Sequence, residues 1–395
     1  KLNIKEVKLL PTNMGVPDII KSALLLPGIQ SVGEGAQGFN VRGGSADQNL
    51  ILLYDVPLFN TSHLLGFFSS VNADVINDIS LYKGGIPARY GGRISSVLHI
   101  IPKDGNKKKI GGSGGISPVT SNLMIEGPII KDKTSFIVSG RTTYSNWLLN
   151  LMEDTGLQNS SISFYDANLR LVHELNEKNN IEFSSYLSHD DFKFNNDTLY
   201  SYDNSLMSLK WRHIFNNKLF AVFSANNSSY NYNISSRNDI YNSFELLHKI
   251  DYSEFNTHMT WYPSYSHQVE MGLDLGLYGI VPGRLEPVGD SSVVMQTIVE
   301  KQRALLPALF ISDRIKLSDR LTINLGLRLS SFFAMGPARV YSYHYGFPRT
   351  EDSISDTTLF GNNELIKKYF NPELRLSANY RIGANSSLKI NYNST

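Results

Sequence analysis

From about residue 110 onward the chain keeps a hydrophobic period of two, and this limits the folds open to it more than any other feature. Leu321, Ile323, Leu325, Leu327 and Leu329 alternate with Thr322, Asn324, Gly326, Arg328 and Ser330. Val269, Met271, Leu273, Leu275 and Leu277 alternate with Glu270, Gly272, Asp274, Gly276 and Tyr278. Leu374, Leu376, Ala378, Tyr380 and Ile382 alternate with Glu373, Arg375, Ser377, Asn379 and Arg381. Successive side chains of a strand point to opposite faces, so each run makes one apolar and one polar face. Wound into a helix, the same spacing would scatter the apolar residues around the axis.

The connections between these runs fall into two kinds. Tight polar turns are expected at Ile130–Lys133, Asn176–Asn180, Asn216–Lys218, Pro263–Tyr265, Ser318–Arg320 and Gly383–Ser386. Between them lie polar stretches read as long loops, at 147–163, 190–204, 232–241, 279–295 and 336–369. Short turns alternating with long loops between strands of about ten residues are the pattern of an outer-membrane β-barrel. Six turns imply about a dozen strands. A soluble sandwich or jelly roll also alternates apolar and polar positions. Against it stand the regular confinement of long loops to alternate connections and the aromatic residues at strand ends, such as Trp261, Tyr262 and Tyr265 around one turn.

Composition removes several functional classes. With no cysteine in 395 residues, a disulfide scaffold, a thiolate zinc site, an iron–sulfur cluster and a cysteine nucleophile are excluded. Thirty-seven basic against 36 acidic residues leave no global field for nucleic acid. No stretch reaches 18 apolar residues, so a helical membrane span is excluded, whereas a barrel hides its apolar band in every second residue. No nucleophile elbow, paired helical His-Glu motif or phosphate-cradling loop is present, so no catalytic residue, cofactor or metal site is assigned.

Residues 1–108 read differently, as a compact α+β unit distinct from 109–395. A short helix is expected at Pro17–Leu26, stopped by Pro27-Gly28. Strands are expected at Leu50–Leu53, Ile79–Tyr82 and Val97–Ile101, with Asn72 or Asp74 capping one helical turn. Glycine pairs at 43–44, 84–85 and 91–92 permit positive φ and close backbone approach. An arginine, Arg42 or Arg93, flanks two of them.

Four pieces in order carry a resemblance: Pro27-Gly28-Ile29, Val41-Arg42-Gly43-Gly44, Leu81-Tyr82-Lys83-Gly84-Gly85 and Pro87-Ala88-Arg89-Tyr90-Gly91-Gly92-Arg93. Over residues 16 to 106 the chain resembles the plug domain of TonB-dependent outer-membrane receptors, particularly those common in Bacteroidetes. The resemblance implies a mainly β protein: a transmembrane antiparallel barrel of about 22 strands when complete, with an α+β plug in its lumen. It implies that Arg42 and Arg93, with Gly43, Gly44, Gly91 and Gly92, contact the wall, the arginines through wall carboxylates. Phe59, Asn60, His63, Phe67 and Phe68 then sit at a ligand-facing apex, and Tyr343, His344 and Tyr345 on a ligand-facing loop. One departure is visible, because Leu53-Tyr54-Asp55-Val56-Pro57 places aspartate where the family usually has glycine. Aspartate tolerates left-handed turn geometry, so the turn is expected to survive.

The expected function is uptake of a scarce nutrient (siderophore, cobalamin, oligosaccharide or peptide) across the outer membrane of a Gram-negative bacterium. The alternative reading is a plug-barrel scaffold or accessory subunit that does not transport. Expected partners are outer-membrane lipids, a TonB-type energy-coupling protein if a coupling motif lies upstream, and a surface lipoprotein or other complex subunits. No coupling motif is identifiable in residues 1–15. About 285 residues after the plug suffice for about a dozen strands, so the native polypeptide is expected to continue through some ten more.

Overall fold

The computed structural model describes residues 2–9, 17–32, 38–151, 153–195, 197–384 and 386–394. Of the segment searched for a coupling motif, residues 1 and 10–15 lie outside the described residues. The N-terminal unit is built on a five-stranded sheet in the order Leu2–Asn3, Ile76–Tyr82, Ser96–Pro102, Asn49–Leu53, Val56–Pro57. Asn49–Leu53 runs parallel to Ser96–Pro102, and the other neighbours are antiparallel. The helix is shorter than expected, Ile19–Ala23, because Asp18 accepts a hydrogen bond from the Lys21 N–H at 2.8 Å and so sets its start. Asn72 caps a single 3-10 turn, Ala73–Val75, by accepting from the Asp74 N–H at 2.9 Å.

Thirteen antiparallel strands then follow in sequence order from Gly111–Ile116 to Ser387–Asn393, with Thr297–Ile298 as a short side branch, making 14 among the described residues. The exposed face of this sheet is apolar and the inner face polar. Leu277, Leu309, Ile311, Leu327 and Leu329 are all exposed, while Ser184, Asn204 and Ser208 are buried. A soluble sandwich would bury the first set, because leaving many such side chains in water forfeits on the order of 2 kcal/mol each. Lipid removes that cost, so this inversion is what a membrane wall requires. No helix is long and apolar enough to cross a membrane.

The strands are longer than the ten residues expected. Phe244–Ser264 and His267–Pro287 have 21 residues each, about 70 Å at a rise of about 3.3 Å, against an apolar band of about 25 Å. Much of what the sequence suggested as loop is therefore strand: only residues 194–197 separate Asn179–Lys193 from Thr198–Asn216, and strands run on to Ser236 and Pro287. Beyond the bilayer both faces of a hairpin are wet. The ladder can continue there without apolar alternation, and the signal that marks strands inside the membrane is lost. The stretch 336–364 carries its own hairpin, Ala338–Tyr343 with Ile354–Phe360.

The wall wraps the N-terminal unit. Near its first edge Asn122 donates to Asp74 at 2.8 Å, and at its last strand Asn391 lies against Gly85. Ile19, Phe39, Leu53, Val56, Ile79, Leu98 and Ile100 form a core that also takes in Met124, Ile137, Tyr186 and Leu206 of the wall.

Candidate functional site

The Leu53–Val56 pair closes a two-residue hairpin whose central residues, Tyr54 and Asp55, both have positive φ (60° and 65°). A hairpin of this kind favours glycine at those positions, and here both side chains are held by contacts instead. The buried Tyr54 hydroxyl donates to Asn168 Oδ1 of the wall at 2.7 Å. Asp55 takes Lys210 of the wall on one carboxylate oxygen and His99 Nε2 on the other, the latter at 2.5 Å. Its side chain is 42% accessible to the lumen although the wall encloses it. Enclosure works to raise its pKa, but Lys210 and His99 outweigh that and hold the carboxyl well below the usual range.

Eight residues further on, His63 is fully buried. Its Nδ1 meets Asp190 Oδ2 at 2.7 Å, its Nε2 lies 3.4 Å from Asp166 Oδ2, and its ring stacks on Phe164 at 4.3 Å. Asp166 also receives Arg141 Nε at 2.7 Å, and Arg141 Nη2 reaches the Ser69 carbonyl at 2.7 Å. Asp190 accepts the Leu64 N–H at 3.0 Å, and the Tyr186 hydroxyl donates to the Ser70 carbonyl at 2.9 Å. Burial alone would lower the His63 pKa, but the charge of Asp190 and the bonds to Asp166 and Asp190 raise it above the ordinary histidine value.

Around residues 82–94 the relation to the wall is different. Here Arg328, itself paired with Asp274 of the wall at 2.8 Å, donates to the Ala88 and Arg89 carbonyls at 3.3 and 3.2 Å. Three cavities, of about 540, 320 and 850 Å³, lie between this segment and the wall. The largest is lined by Phe59 and Ile94 of the inner unit and by Tyr278, Ile280, Phe332 and Tyr369 of the wall, together with charged residues such as Arg303 and Arg339.

The residues singled out in the sequence separate under this geometry. Phe59 meets Tyr278 edge-on at 6.2 Å and lines the largest cavity. His63, Asn60 and Phe68 do not face a vestibule: each is buried, His63 and Phe68 against Phe164. Phe67 is exposed. Tyr343 lies on the hairpin of 338–360 under the Arg349 guanidinium, and His344 and Tyr345 are exposed, whereas Ala338 and Arg339 of the same hairpin line the cavity.

The expected ion pairs of Arg42 and Arg93 with wall carboxylates are not found among the described residues. Arg42 packs beside Gly84 and Gly28, and Arg93 donates to the Gly92 carbonyl while lining two cavities. The wall supplies the arginines instead, at 141, 170 and 328, and Arg170 takes Asp104 of the inner unit at 2.6 Å. A carbonyl-rich turn needs donors, and guanidinium groups on a rigid strand supply them without leaving a charge on a mobile loop. Of the six residues expected at the wall, Gly91 packs against it, since a Cβ there would collide with Arg328. Gly43 and Gly92 have positive φ with open space around them, and Gly44 packs on Ser95 and Gln48 within its own unit.

Residues missed in the sequence, Arg328, Asp274 and Tyr278, were already on its polar strand faces. The triplet His189-Asp190-Asp191 shows the same rule. Consecutive residues alternate faces, so Asp190 meets His63 in the lumen while His189 pairs with Asp191 and Asp203 on the other face, and the three cannot converge on one ion. Among the described residues no group of His, Asp and Glu is arranged to hold a metal.

Residues 12–97 match the family model described as the TonB-dependent Receptor Plug Domain. The copper transporter OprC superposes with a TM-score of 0.72 at 11% identity, covering 99% of this chain and 63% of that one. The siderophore receptor PirA from Acinetobacter baumannii gives 0.63 at 14% identity, over 99% of this chain and 74% of its own. The alcaligin outer membrane receptor FauA from Bordetella pertussis gives 0.65 at 12% identity, over 96% and 60%. The chain thus spans less than two thirds of the length of OprC. No curated protein matches it in sequence.

Proposed function

Because the chain joins a TonB-dependent receptor plug to a wall with the fold of those receptors, we propose that it works as a TonB-dependent outer-membrane transporter that imports a scarce nutrient. The observation that carries this reading is the cavity of about 850 Å³ where the plug apex, through Phe59, meets the wall. Its volume and its lining, aromatic and aliphatic side chains together with Arg93, Glu300, Lys301, Arg303, Arg339 and Glu373, suit a medium-sized amphiphilic solute. In this reading the solute binds there from outside, and a TonB-type coupling protein in the inner membrane supplies the work that displaces part of the plug. No observation favours a scaffold role.

The test is uptake by whole cells. A strain lacking the gene should lose energy-dependent accumulation of one labelled solute from a panel of ferric siderophores, cobalamin, oligosaccharides and peptides, and the intact gene should restore it. Unchanged uptake across the panel, with the protein shown to be present in the outer membrane of the wild type, would overturn the reading.

A further inference from the structure

The cavities of about 850 and 540 Å³ abut. Both are lined by Gly92, Arg93, Tyr278, Leu306, Ser330 and Ser331, so a single neck separates the outer space from the space deeper in the lumen. The plug contributes to that neck only through residues 92 and 93. Tyr278 stands opposite, its ring placed between Phe59 at 6.2 Å and Tyr252 at 4.6 Å. Below the neck the deeper cavity is bounded by Asp55, His99 and Lys210 on one side and by Glu254, Glu270 and Asp274 on the other.

Ala88 and Tyr90 are buried in the plug, whereas residues 91–94, which close the neck, are partly or fully exposed. Arg328 grips the Ala88 and Arg89 carbonyls at 3.3 and 3.2 Å, the long end of the hydrogen-bond range. Gly91 lies flat against the same side chain, and Gly92 at φ 76° has no neighbour within 4 Å of where a Cβ would be. Glycine at such a position allows the backbone to swing without collision.

Resting on the transport reading, we propose that the solute passes along this one flank, between plug residues 88–94 and the wall from Tyr252 to Ser330. Arg93 and Tyr278 form the gate, and Arg328 is the catch that keeps it shut. The buried contacts of Tyr54 and of His63 to Ser70 stay docked while the gate segment moves, and Asp55 and Phe59, which line the two cavities, border the path.

Single-channel current through the full-length protein in planar lipid bilayers, with potassium chloride as the only solute, tests this without energy source or nutrient. A negative result therefore counts against the gate and not against nutrient uptake. Arg328→Ala should raise the conductance several-fold over wild type, whereas Tyr186→Phe, which removes a contact on the docked flank, should not. Arg93→Ala repeats the test on a loop residue that carries little of the fold, in case loss of Arg328 disturbs barrel assembly. Ser330→Cys in the Arg93→Ala background adds a thiol at the neck, and a small anionic methanethiosulfonate should block the added current in this double variant while leaving the current of Arg93→Ala alone unchanged. The proposal is overturned if neither Arg328→Ala nor Arg93→Ala raises conductance, if Tyr186→Phe raises it equally, or if the modified thiol leaves the current unchanged.

Discussion

The plug meets the wall in two unlike ways. On the flank of residues 54–70 the contacts are direct and buried: Tyr54 with Asn168, His63 with Asp166 and Asp190, Ser69 with Arg141, Ser70 with Tyr186. On the flank of residues 82–94 three cavities intervene, and Arg328 of the wall reaches across through hydrogen bonds to the Ala88 and Arg89 carbonyls. Buried charges that satisfy one another are costly to separate, since each would be left uncompensated in a low-dielectric site. The partly exposed stretch 91–94, beside cavities of about 540 and 850 Å³, costs much less to move. The same small domain can therefore be both anchored and openable, provided the two properties sit on different flanks.

Several substitutions would break or sharpen this contrast. The largest effect is expected from Asp166→Ala, which strands Arg141 and His63 together and should destabilise plug docking by about 3–5 kcal/mol, read as a lower urea midpoint for plug release. Docking should next depend on pH through His63. Its pKa is raised in the folded state, so its contribution is complete below the ordinary value of about 6.5 and is lost as pH rises through the raised value. The groups facing it are Asp166, Asp190 and, through Asp166, Arg141. Limited proteolysis should release the plug more readily at alkaline than at mildly acidic pH, and His63→Gln should flatten that dependence. If His63→Gln keeps the full pH profile, another group carries it. Tyr186→Phe removes one hydrogen bond to the Ser70 carbonyl, with an expected cost of about 1 kcal/mol in the same unfolding experiment.

The smallest effect is expected at Asp55. Asp55→Gly relieves a left-handed aspartate, worth up to about 1 kcal/mol, and loses two ion pairs that lumen water already screens. The two changes oppose each other, so the midpoint should move by less than about 1 kcal/mol. A large loss would mean that Asp55 belongs with the docked flank in energy as well as in position.

Much of this was legible in one sequence, for identifiable reasons. Within the bilayer the alternation of Leu321–Leu329 with Thr322–Ser330 is enforced by lipid on one side and lumen on the other, so strand, face and register are written locally. Outside it both faces are wet and the constraint lapses, which is why 190–204 read as loop although most of it is ladder. The apolar runs at 50–53, 79–82 and 97–101 each fall within a strand of the plug, at 49–53, 76–82 and 96–102. Of the residues expected at a ligand-facing apex, Phe59 lines a cavity whereas Asn60, His63 and Phe68 are buried. His63 and Phe68 have the residue types of a binding surface, and only the wall shows that they are covered.

The sequence by itself determined that the second part is a wall with an apolar outside and a polar inside, that a glycine-turned α+β unit precedes it, and that no cysteine chemistry is available. These follow from spacing and residue type, which act over a few residues. Only the tertiary structure decided which polar-face residue meets which plug residue: Asp190 with His63, Lys210 with Asp55, Arg328 with the carbonyls of 88 and 89. Those pairs are separated by 127, 155 and about 240 residues. Partnership at that range is set by how the sheet curves around the plug, a geometric property of the whole wall that no local pattern records.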